Sequence, residues 1–354
     1  MNVDKRYYVA AAAVVLACGL LMILAVLGPG IYRLLSGSVA PRPDFDATLQ
    51  ALISGTAKAT AQSPSGVQIV PPSTSPAAAD GPTGHIVFTC QMFKDQGSEQ
   101  ICIMNADGTG KRRLTEENGF RHYYPSLAPD GTSAVYSQYR EPNIFEIYEQ
   151  NLTDGTVRRL TDRLGALNGP EISPDGESIT FKRWTAASNE EQIWVMDRNG
   201  ENQSRVFGGT GWDPTWSPDG TQILFASDMG GAVQLYTVKV AGSDAHRITD
   251  LPAIRGRSDW SPLGMITTYS GAAWHREIYI MQADGSGVRQ VTPSGGNSQG
   301  PSFSPDGLWI AFTAYFDHLN DIHGCEIYII RTDGTDLRRL TDNEYCDYQP
   351  RWGP

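Results

Sequence analysis

The sequence predicts an all-β domain, a six-bladed β-propeller closed by its own C-terminal strand, and three observations carry that expectation. A heptad recurs as PSLAPDG from Pro125, PEISPDG from Pro170, PTWSPDG from Pro214, SDWSPLG from Ser258 and PSFSPDG from Pro301, with a last, shortened copy PRWGP from Pro350. The copies are 45, 44, 44, 43 and 49 residues apart, a period typical of repeat architectures. Each period also reads as four short β segments divided by turn signals, and nothing after residue 60 keeps a helical period.

Each segment has a physical reason. The heptad has a bulky centre at Leu127, Ile172, Trp216, Trp260, Phe303 and Trp352 and forms the first strand of a unit. Pro-Asp-Gly then reverses the chain, because Pro presets φ, Asp hydrogen-bonds its own backbone and Gly accepts positive φ. A second strand follows (SAVYS, SITFK, ILFAS, MITTYS, WIAFTA), then a third (FEIYEQ, QIWVM, QLYTV, EIYIM, EIYII). A tight turn such as NLTDGT or MQADGS leads to a short fourth segment, RRLT, SRVF, HRIT or RQVT. Sheets of this kind, buried on both faces by their neighbours, pack radially.

The ends of the domain complement each other. It opens on second-strand material, HIVFT at 85–89, and ends on first-strand material, PRW at 350–352. Pairing the two completes one sheet and removes an open edge.

Ahead of the domain, residues 1–6 form a short tail expected in the cytoplasm, and Tyr7 to Leu27 is a run of 21 uncharged residues, long enough to span a bilayer as a helix. The alternatives are a lipoprotein signal ending at Cys18 and a signal cleaved after SVA at 38–40, where Pro41 stands against cleavage. Residues 28–83, rich in Pro, Ala, Ser, Thr and Gly, read as a flexible tether. The domain expected outside the cytoplasm is 84–354.

A formal charge of −11 argues against nucleic acid as a partner. The five cysteines include no CxxC pair and no zinc spacing. The loop map brings Cys90 to Cys102 and Cys325 to Cys346 as disulfides, with free buried thiols as the alternative.

The composite unit PSFSPDGLWIAFTA…EIYIIRTDGTDLRRLT resembles the repeat of TolB-type propellers, a bacterial relative of WD-type repeats, over residues 84–354. Ser258 and Leu263 depart from the pattern, as does SRVF at 204–207. The resemblance implies an extracytoplasmic binding or scaffolding module with no shared catalytic set. It implies a protein, peptide or glycan ligand, a membrane partner only through the N-terminal helix, and no cofactor.

Alternating strand direction puts the long, varied loops on one face, the expected binding face. Candidate ligand-binding residues there are Tyr123, Tyr124, Trp184, Trp212, Asp213 and Arg257. Trp274, His275, Gln299, Tyr315 and Tyr348 complete the set, and Asp213, Arg257 and Gln299 are placed just before a first strand, near the central funnel. Aromatic anchors with a polar surround suit such ligands, although each ring could equally pack between sheets.

The alternative is a propeller-type glycan hydrolase or lyase. It needs converging acid and base groups, and the heptad's second position offers only Glu171 and Asp259 as carboxylates, beside Ser126, Thr215, Ser302 and Arg351. GNSQG at 296–300 matches a nucleophile pattern but lacks its strand–turn–helix context. Asp317, His318, Asp321 and His323 read as a solvated loop rather than a metal site, and NADGTG at 105–110 lacks the ligands of a calcium loop. No catalytic or metal residue is therefore assigned.

Overall fold

The structure is a computed structural model that describes residues 81–92, 99–116, 119–315 and 324–354. The segment 7–27 expected to span the membrane lies outside the described residues, as does nearly all of the tether. Among the described residues no helix is long and apolar enough to cross a membrane, and the fold is all-β.

The first sheet has β1 (His85–Gln91), β2 (Glu99–Asn105) and β3 (Arg112–Arg113). A larger set follows: β4 (His122–Leu127), β5 (Ser133–Glu141), β6 (Ile144–Asn151), β7 (Val157–Arg159), β8 (Ala166–Ile172), β9 (Ser178–Trp184), β10 (Glu191–Asp197) and β11 (Ser204–Arg205). Next come β12 (Trp212–Trp216), β13 (Gln222–Ser227), β14 (Gln234–Lys239), β15 (His246–Arg247), β16 (Asp259–Trp260), β17 (Met265–Ser270), β18 (Glu277–Gln282) and β19 (Arg289–Gln290). The last are β20 (Ser298–Phe303), β21 (Trp309–Tyr315), β22 (Cys325–Arg331), β23 (Arg338–Arg339) and β24 (Asp347–Gly353).

β24 pairs antiparallel with β1, with His85 opposite Gly353 and Ile86 opposite Trp352, so the sheet order is β24-β1-β2-β3. The two ends of the domain meet as their sequences required. Three further sheets, β12–β15, β16–β19 and β20–β23, are also four-stranded. The count of separate four-stranded sheets is therefore four, where the sequence predicted six. The remaining eight strands form one sheet, because β6 and β8 are joined by a parallel bridge between Phe145 and Ala166. The innermost strands touch in a closed cycle, β24 to β4, β8, β12, β16, β20 and back to β24.

Each sheet buries both faces. On one side Ile86, Phe88 and Met104 pack with Trp309, Ile327 and Trp352. On the other, Val87 and Ile101 pack with Ala134, Tyr136 and Tyr148. Phe88 is fully buried, and such a side chain contributes roughly 1.5–3 kcal/mol through lost contact with water.

Two local devices repeat. In the Pro-Asp-Gly turns, Ser217 Oγ donates to Asp219 Oδ1 at 2.6 Å, and the same carboxylate oxygen accepts the Thr221 N–H at 3.0 Å. Where Leu263 replaces the Asp, Ser261 Oγ itself accepts the Leu263 N–H at 3.1 Å, so the turn survives. The other device explains the Thr of RRLT. Thr292 Oγ1 accepts the Ile278 N–H at 3.0 Å and donates to buried Glu277 at 2.7 Å. Thr115 does the same for Ile101 and Gln100, Thr161 for Ile147 and Glu146, Thr249 for Leu235 and Gln234, and Thr341 for Ile327 and Glu326. Phe207 stands at the corresponding place in SRVF, and there the Gln192 Oε1 accepts the Trp194 indole N–H at 3.0 Å instead.

Disulfides join Cys90 to Cys102 and Cys325 to Cys346, the expected pairs. The first links neighbouring strands β1 and β2. The second ties the start of β22 to the approach of β24.

Candidate functional site

The residue before each heptad adopts positive φ in all six copies: Tyr124 (54°), Gly169 (62°), Asp213 (52°), Arg257 (28°), Gly300 (59°) and Gln349 (57°). In β4, β8, β12, β20 and β24 the pairing register slips at this point, which marks a β-bulge. Glycine tolerates the left-handed backbone, but Tyr, Asp, Arg and Gln adopt it at about 1–3 kcal/mol each. Of these residues, Tyr124, Asp213 and Arg257 line one pocket. They also bridge units, since the Arg257 N–H donates to Asp213 Oδ2 at 2.9 Å and the Tyr124 N–H to Gln349 Oε1 at 3.0 Å.

Two positions further along each strand lies a second layer. Arg351, carried in by β24, sits 2.9 Å from Glu171 Oε2 and 3.2 Å from Asp259 Oδ1. The carboxylates are bound elsewhere too. Glu171 Oε1 accepts from Thr215 Oγ1 at 2.6 Å and from the Trp216 N–H at 3.2 Å. Asp259 Oδ2 accepts from Ser302 Oγ at 2.9 Å and from the Phe303 N–H at 2.7 Å. Burial works against the Arg351 charge, yet Glu171 and Asp259 hold its pKa above the usual guanidinium value.

Between the layers lies a small pocket with room for about one water molecule, lined by Tyr124, Gly169, Glu171, Asp213, Arg257 and Arg351 with two prolines. Burial lowers the Arg257 pKa to about 10, helped by the positive charge of Arg351, so the group stays cationic at neutral pH. Arg257 Nη2 donates to the Gln349 carbonyl at 3.3 Å and the guanidinium lies 5.3 Å from the Tyr124 ring. Burial pushes the Tyr315 phenol up to about 12, and Tyr124, Tyr269 and Tyr348 also upward, so all four stay protonated donors. Arg276 lies 5.9 Å from the Tyr269 ring and donates to Gln299 Oε1 at 2.8 Å.

The structure brings Tyr124, Asp213 and Arg257 together around the cavity. Gln299 meets Arg276, but the bulge position in that strand is Gly300, one residue beyond the expected one. Trp212 is half-buried, its indole N–H donating to the Arg255 carbonyl at 3.1 Å. Tyr123 packs at 6.1 Å from the Phe145 ring. Trp184, Trp274 and His275 do not line the cavity; Trp274 is 42% exposed and His275 is exposed. Tyr269, Arg276 and Gln349 escaped the sequence reading, although Gln349 was detectable as the residue before the last heptad copy. Asp317, His318, Asp321 and His323 lie outside the described residues. Among the described residues no group of acidic, His or Cys side chains could hold a metal ion.

This geometry defines a β-propeller with a polar axial funnel. Residues 170–273 match the family model described as "TolB beta propeller domain". An uncharacterized protein of Agrobacterium fabrum (strain C58 / ATCC 33970) is 30% identical over 183 residues, which cover 48% of this chain and 60% of that protein. An uncharacterized peptidase of Bacillus subtilis (strain 168) is 23% identical over 206 residues, covering 44% of this chain and 30% of that protein. The chain thus matches less than two thirds of either relative. The crystal structure of TolB from Acinetobacter baumannii superposes with a TM-score of 0.66 at 24% identity, covering 77% of this chain and 67% of that one. The chain carries a TolB-like propeller domain. The same fold serves relatives with and without enzymatic names.

Proposed function

We propose that this chain is a membrane-tethered binding or scaffolding module whose propeller stands outside the cytoplasm and recognises a protein, peptide or glycan on its loop-rich face. We count the halves of the eight-stranded sheet as separate blades, six in all, because each brings its own bulge residue and heptad to the axis. Residues 7–27 would anchor the chain, and two disulfides fit an oxidising compartment.

The observation that carries the binding reading is the contrast along the axis. Glu171 and Asp259 are both committed to Arg351 and to neighbouring hydroxyl and backbone donors. The layer above them presents Tyr124 and Arg257 with one carboxylate, Asp213, which accepts the Arg257 backbone N–H. General acid–base chemistry needs a carboxyl group free to exchange its proton with substrate. The alternative, a glycan hydrolase or lyase, draws on Glu171 and Asp259 as the only acid–base pair of their layer.

The test is an array of peptides and glycans probed with the full-length chain. Binding to one class, weakened at least tenfold by Tyr124→Ala or Tyr315→Ala, supports the module. Turnover of a polysaccharide that disappears in Glu171→Gln or Asp259→Asn supports the enzyme.

A further inference from the structure

We propose that the funnel mouth is a receptor for a peptide carboxylate, either a C-terminus or an Asp or Glu side chain, held by Arg257 and Arg276. This rests on the binding reading above and specifies its ligand.

The argument begins with charge pairing. Around the axis, Arg351 has Glu171 and Asp259, and Lys182 has Glu191 at 2.5 Å. Arg257 and Arg276 have no carboxylate at ion-pair distance among the described residues. Arg257 is only 8% exposed, and its Nε is buried with no hydrogen-bond partner. Arg276 Nε is buried and unpartnered in the same way. Buried cations are ordinarily paired, because an uncompensated charge away from water is costly. The carboxylate facing Arg257 in its own layer is Asp213, and one of its oxygens already accepts the Arg257 backbone N–H.

The two cations meet at one short segment. Arg276 donates to the Gln299 side chain, while Arg257 Cδ lies 3.6 Å from the place a side chain would start on Gly300. Arg257 Nε and Nη2 form one edge of the guanidinium, the geometry that takes both oxygens of a carboxylate. The Tyr124 ring lies at 5.3 Å from the same guanidinium and carries a further hydroxyl donor. The pocket beside Arg257, with room for about one water molecule, is too small for a sugar ring.

The experiment measures binding of the full-length chain to three probes: an N-acetylated tripeptide library with free C-termini, the same library amidated and lacking Asp and Glu, and oligogalacturonate. Selected free-acid peptides are expected to bind at least tenfold more tightly than their amides, since charged hydrogen bonds are about twice as strong as neutral ones. Arg257→Gln and Arg276→Gln should each remove that preference, Arg257→Lys should keep part of it, and Arg112→Gln should leave it intact. Thermal melts of each variant separate lost binding from lost folding. Equal binding of acid and amide, with Tyr315 still required, overturns the carboxylate receptor and leaves the binding module standing. Arg257-dependent capture of oligogalacturonate without peptide binding overturns the peptide assignment. Failure of all probes in the folded chain defeats both readings.

Discussion

The two layers on the propeller axis lie two residues apart in every repeat, yet they handle charge in opposite ways. In the lower layer one guanidinium, Arg351, serves two carboxylates, which also accept from Thr215, Ser302 and two backbone N–H groups, although Glu171 Oε2 and Arg351 Nη1 make ion pairs without a hydrogen bond. In the upper layer Arg257 has two N–H groups directed at its surroundings with only a carbonyl between them. A cation paired with carboxylates holds sheets together, whereas a buried one without a carboxylate gains from a partner that brings one. On the proposed binding reading, the lower layer serves stability and the upper one recognition.

The strongest way to break this contrast is Arg351→Met. It leaves Glu171 and Asp259 buried and unpaired, and removing one partner of a buried pair destabilises by about 3–5 kcal/mol. Urea unfolding monitored by tryptophan fluorescence measures it, and a loss under about 1 kcal/mol would show the lower layer to be ornamental.

Next in size is removal of the Cys325–Cys346 bridge by paired Ser substitution, expected to lose about 2–4 kcal/mol. Because the bridge positions the strand that carries Arg351, combining it with Arg351→Met should give less than the sum of the two losses.

Glu277→Gln sharpens the contrast with a carboxyl that has no cation partner among the described residues. Its donors are Thr292 and the backbone N–H groups of Gly295 and Gly296, and burial raises its pKa to about 7. Unfolded, it titrates near the ordinary value of about 4.3. The folded state therefore binds more protons between those pH values. The stability this group contributes is fully present below about pH 4 and is lost as pH rises through about 7. Gln100 and Gln234 already occupy the equivalent place without a charge. The variant should equal the parent at pH 4 and exceed it by on the order of 2 kcal/mol at pH 8.

The smallest effect is expected from Arg257→Gln, within about 1 kcal/mol of the parent and on the stabilising side, because a buried charge without a carboxylate partner is removed. A loss comparable to that of Arg351→Met would place both layers in the structural category.

Much of this was legible beforehand. Pro-Asp-Gly chemistry and strand alternation recur often enough to specify sheet, turn and closure, and Trp352 lands opposite Ile86. The sequence also singled out Glu171 and Asp259, with Arg351 in the same register. What it hid was which of these would pair across the axis, since strands 180 residues apart in sequence, β8 and β24, approach only once the ring is closed. The β6–β8 bridge was hidden for a similar reason, because Phe145 and Ala166 belong to loop ends whose path no repeat dictates. Thr of RRLT read as strand, and its role as a hydrogen-bond relay emerged only with Glu277 and its counterparts beside it.

The pairing of β1 with β24 has a bearing on synthesis. His85 waits for Gly353 while the intervening chain is translated, about 15–50 s at ordinary ribosome speeds of ~5–20 residues per second. Throughout that interval one edge of the earliest sheet has no partner, and its apolar side chains lack half their eventual neighbours. That edge is open to wrong pairing until the last strand of the ring arrives.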